Sequence, residues 1–104
     1  MGGMSDEYQI EIPPSFTALY TDPRGRLTVN LAELRQRYDL CEDTAQQLVE
    51  PGRHIHFDLG LTQDEVFAQL HAGLSGADSG LLAEEATWVI KRMAELLDWT
   101  LPER

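Results

Sequence analysis

The segment from Leu82 to Leu97 constrains this chain most. Leu82, Ala86, Val89, Met93, Leu96 and Leu97 recur at three- and four-residue steps, an apolar stripe about five turns long. Trp88 and Ile90 flank the stripe and widen it. Such a face must bury itself against other elements, and the rest of the chain supplies helices to meet it. Thr62-Gln63-Asp64-Glu65 is the clearest start signal: the Thr62 hydroxyl can accept from the backbone three residues on while Glu65 reaches back. The helix it opens carries Val66, Phe67, Leu70 and Leu74 on one stripe. Asn30 and Glu33 form a second capping arrangement, after which Leu31, Leu34 and Tyr38 share a face. Cys41, Ala45, Leu48 and Val49 form a further run.

Punctuation between these runs sets the expected boundaries. Two short helices are expected to join at Asp39-Leu40, and Pro51-Gly52 to interrupt the second. Residues 53–59 have no decisive period and read as a short further helix or a kinked continuation, with Gly60 as a natural stop. A flexible link is expected over 73–80, and the last helix from about Ser79 to Asp98. Near the start, Tyr8, Ile10 and Ile12 alternate with Gln9 and Glu11 as in a half-buried strand, which Pro13-Pro14 ends. One helical turn over 15–20 would place Phe16, Leu19 and Tyr20 on the core, and Asp22-Pro23-Arg24-Gly25 is turn chemistry. The expected fold is mainly all-α, a small bundle of four to five helices with a short N-terminal strand or extended tail. Residues 1–14 are the tail and 15–104 a single helical domain.

Charge narrows the function. Eighteen acids against eight bases give a net charge of −10, which argues against a nucleic-acid surface and against an anionic membrane. No apolar run approaches the roughly 20 residues that span a bilayer. Met1-Gly2-Gly3-Met4 lacks the basic start and apolar stretch of a signal peptide, and the single cysteine, Cys41, cannot form an internal disulfide. Both features point to the cytoplasm. Lys91 is the one lysine, set between Ile90 and Arg92 with no glycine in reach. A phosphate-binding loop needs a lysine after its second glycine, so the chain is expected neither to bind nor to hydrolyse ATP.

Chemistry-bearing residues are sparse. His54, His56, His71 and Cys41 are the imidazole and thiol groups available. His54 and His56 diverge by about 200° on a helix, so no metal site is expected. The acidic pairs Glu42-Asp43, Asp64-Glu65 and Glu84-Glu85 each fall near an expected helix N-terminus, where the macrodipole favours them without any catalytic role. Residues 31–49 resemble a helix-turn-helix in outline, but the second helix would present Glu42, Asp43, Gln46, Gln47 and Glu50 to the phosphates. The remaining candidates are aromatic and apolar groups near the end: Trp88, Trp99 and Leu101, ringed by Glu84, Glu85, Glu95 and Asp98. An apolar centre with an acidic rim is interface anatomy, and it would favour a basic partner.

One resemblance rests on longer phrases. Residues 38–48 (YDLCEDTAQQL), then 57–62 (FDLGLT) and 71–74 (HAGL) resemble a family of small acidic proteobacterial proteins of unknown function, some labelled "ATPase with chaperone activity". The likeness covers most of residues 5–99. It implies a chaperone-associated role and brings no catalytic residues; the ATPase half of the label conflicts with the missing phosphate loop. Together these readings point to a cytoplasmic protein-binding or adaptor module without cofactor, metal or catalytic residues. A helix-turn-helix regulator and a metal-dependent enzyme are the alternatives.

Overall fold

A computed structural model describes residues 12–100. Its fold is all-α: four α-helices and two short 3-10 turns, with no strand among the described residues. The elements are α1 (Pro14–Thr17), a 3-10 turn (Ala18–Tyr20), α2 (Leu31–Phe57), α3 (Gln63–Leu74), a second 3-10 turn (Ala77–Ser79) and α4 (Ala83–Leu97). The strand expected over Tyr8–Ile12 lies outside the described residues apart from its last member. The chain divides between Tyr38 and Asp39 into two compact units.

The first unit is organised by two prolines and an aspartate. Pro13 is extended (φ −61°, ψ 146°) and caps α1, whose first residue, Pro14, has no N–H to leave unsatisfied. Phe16 is fully buried, with its ring 5.8 Å from Tyr20 and 5.6 Å from Tyr38. The Asp22 carboxylate accepts from the Arg24 and Arg26 amides, both at 2.9 Å. Gly25 takes φ 85°, the left-handed conformation that the expected turn needs. The turn closes on an isolated bridge between Thr21 and Leu27. In the first turns of α2, the Glu33 amide donates to the Asn30 side chain at 2.8 Å. Leu34 and Tyr38 are buried there, whereas Leu31, expected on the same face, is 69% exposed.

The second unit holds the apolar bundle. Val66 and Phe67 of α3 pack with Ile90, Met93, Ala94 and Leu97 of α4, and Leu48, Val49 and Ile55 of α2 pack against that cluster. Thr62 caps α3 as expected: its hydroxyl accepts from the Glu65 amide at 3.1 Å, and Glu65 accepts from the Thr62 amide at 2.8 Å. Thr62→Ala should lower stability by about 0.5–2 kcal/mol, measured as a lower urea midpoint at unchanged slope.

Two expected boundaries are corrected. The helix does not turn at Asp39-Leu40, nor does it stop at Pro51-Gly52: α2 runs unbroken from Leu31 to Phe57 with Pro51 inside it. Burial explains the continuity, since Leu34, Tyr38, Cys41, Ala45 and Gly52 are all buried and Leu48 packs on the core. These positions step by four, three, four, three and four, one uninterrupted helical stripe. The turn that a helix-turn-helix needs is therefore absent from residues 31–49. At the other end, α4 begins at Ala83 rather than Ser79. The Ser79 hydroxyl oxygen accepts from the Leu81 amide at 3.1 Å, and Gly80 at φ 78° turns the chain before the helix starts. The buried carboxylate of Glu85 then accepts from the Leu82 amide at 2.9 Å, leaving Leu82 itself 52% exposed.

Candidate functional site

Among the described residues of the second unit, the most exposed large apolar groups sit where α2 ends. Phe57, the last residue of the helix, is 69% exposed, and Leu59 in the following turn is 60% exposed. Beside Phe57 lies a shallow depression of about 550 Å³ lined by Glu50, Pro51, Arg53, His54, Phe57 and Asp58. The polar members pair locally, Arg53 with Glu50 within the helix and His54 with Asp58 just past its end, each at 2.7 Å.

The base beneath this ledge is tightly held. Gly60 at φ 82° turns the chain, so that the Leu59 amide reaches the His54 carbonyl and the Leu61 amide reaches the Ile55 carbonyl, both at 3.3 Å. His56 Nδ1 lies 2.7 Å from the Leu61 carbonyl oxygen, so this nitrogen carries the proton and donates. The His56 ring meets Phe57 edge-on at 4.5 Å and Trp99 at 4.9 Å, and Trp99 meets Phe67 at 5.6 Å. A continuous aromatic chain therefore runs from the core out to Phe57.

The three residues expected to form a partner surface at the last helix fall in different places. Trp88 is 7% exposed and belongs to the core, because the buried face of α4 is broad enough to take in Trp88, Val89 and Ile90 together. Trp99 is half-buried in the aromatic chain, and Leu101 lies outside the described residues. Nor do the imidazole groups converge. His54 pairs with Asp58, His56 with the Leu61 carbonyl, and His71 Nε2 with the Thr87 hydroxyl at 3.1 Å. Cys41 is fully buried. Among the described residues no three His, Cys, Asp or Glu side chains form a metal-holding group.

One ion pair joins residues fifty apart. Arg92 of α4 grips Glu42 of α2 with two hydrogen bonds, at 2.8 and 3.1 Å, and also reaches Glu95 at 3.0 Å. Burial alone would raise the Glu42 carboxyl; hydrogen bonds from Arg92 and Gln46, with the guanidinium charge, outweigh it and hold the group below its ordinary value. A depressed folded-state value stabilises the protein above the unfolded carboxylate range, and that contribution fades as pH falls through the folded value. Glu42→Gln should cost about 1–2 kcal/mol at pH 7, between the worth of an exposed and a buried pair. Urea melts as a function of pH should show the gap from the unmodified protein closing below about pH 4.

No helix among the described residues is long and apolar enough to cross a membrane. Comparison with family models, curated proteins and solved structures finds no match to this chain.

Proposed function

We propose that this protein is a cytoplasmic protein-binding module, neither an ATPase nor any other enzyme, and that it binds through the ledge at the end of α2. The observation that carries the reading is the outward display of Phe57 and Leu59 on a base fixed by the His56 hydrogen bond and the Trp99 stack. Exposed aromatic and aliphatic anchors on a pre-ordered backbone lower the entropic cost of association, the arrangement found at binding hot spots. Local sequence adds support. Proline and glycine inside a helix cost about 3 and 1 kcal/mol relative to alanine. Pro51 lines the depression, and a Cβ at Gly52 would meet Leu97 and Met93 only at 3.6–3.7 Å, ordinary contact distances. Packing leaves room for a Cβ at Gly52, and breaches of local preference concentrate at functional positions. The chaperone-associated role implied by the family resemblance is compatible with such a module.

The test is a double substitution. Phe57→Ala with Leu59→Ala removes side chains that are mostly in water already, so the melting temperature should hold within a few degrees. Affinity purification of the full chain from its native cells should return a stoichiometric protein partner with the unmodified protein and lose it with the double variant. A partner retained by the variant would place the interface elsewhere.

A further inference from the structure

The charge around the ledge narrows the partner, and this step rests on the ledge being the binding site. Residues 39–100 carry twelve acids against three bases, Arg53, Lys91 and Arg92. Arg53 is engaged by Glu50, and Arg92 by Glu42 and Glu95. Among the described residues the depression is lined by two bases, Arg53 and His54, each paired with one of its two acids, Glu50 and Asp58. The acids near it are more open: the Glu50 and Asp58 side chains are 80% and 65% exposed. An apolar centre thus sits within an excess of negative charge.

We propose that the ledge takes an apolar segment of another protein flanked by lysine or arginine, its apolar anchor seated between Pro51 and Phe57 and its cations facing Glu50 and Asp58. An acidic segment would meet the net negative charge of residues 39–100, and a second copy of this chain would bring the same excess of acid to the contact. Two terms are then expected in the affinity: a salt-sensitive charge term, and a salt-insensitive apolar term that Phe57 carries.

Synthetic amphipathic helical peptides of about 18 residues, five turns, separate these terms. Three are needed, alike in their leucines but with lysine, glutamine or glutamate on the polar face. Binding to the full chain is read by calorimetry and by Trp99 emission, since Trp99 stacks on the ring beside Phe57. The lysine peptide should bind best. Its affinity should fall about tenfold as salt rises from about 0.01 to 0.15 M, which shortens the screening length from ~30 to ~8 Å. Phe57→Ala should cost about tenfold more. Equal binding of the glutamine peptide, lost with Phe57→Ala, would keep the ledge as a site but overturn the cationic partner. Lysine-peptide binding untouched by Phe57→Ala would be adsorption by charge alone and would overturn both. Binding of no peptide, with sedimentation showing a dimer that Phe57→Ala dissolves, would assign the ledge to a second copy and overturn this proposal.

Discussion

Trp88→Ala should destabilise the protein by about 3–5 kcal/mol, a large share of the total for a domain of this size. At 7% exposure the indole buries nearly all of its surface, and truncation leaves a cavity that neighbouring side chains fill only in part. Chemical denaturation at constant slope measures the loss. The contrast with Phe57→Ala is the informative part, because both residues are large aromatics on helices of the second unit. One should cost several kcal/mol and the other less than about 0.5. A small effect at Trp88 would return it to the surface.

The second large effect has the opposite sign. Replacing Pro51 by alanine restores the amide that can bond to the Gln47 carbonyl in a helix that already runs through this position. A gain of about 1–3 kcal/mol is expected, with about 0.5–1 more from Gly52→Ala, whose Cβ finds ordinary contacts. The doubly substituted chain should melt higher, and its affinity for the partner should drop because the wall of the depression has changed. Loss of stability would mean that the helix bends at Pro51 to suit its packing, and the functional explanation of this pair would fall.

Local signals were the legible ones. The Thr62–Glu65 box, the turn ending at Gly25 and the stripe of α3 each depend on residues within a turn or two, and each stands as read. The continuity of α2 was present in the spacing from Leu34 to Gly52, but Pro51-Gly52 is so strong a local stop that it masked the longer pattern. Tertiary burial outweighed propensity there. At α4, Leu82 fits the stripe by spacing yet faces water, since Gly80 sets the angle at which the chain enters the helix. The candidate site was the hardest to see. Over residues 53–59 the period is undecided, with Ile55 packed on the core and Phe57 outside it, and nothing local distinguishes the two. Tryptophans draw attention as anchors, but one is core here and the other helps to support the ledge.

Site-specific photo-crosslinking in the native cells tests the binding claim most directly. A benzophenone side chain at position 57, compared with one at the similarly exposed Leu82, reports contact without requiring the complex to survive purification. A discrete heavier product with another protein from position 57, absent from position 82, is the predicted result. No product from position 57, or the same diffuse products from both positions, would contradict a binding role for the end of α2.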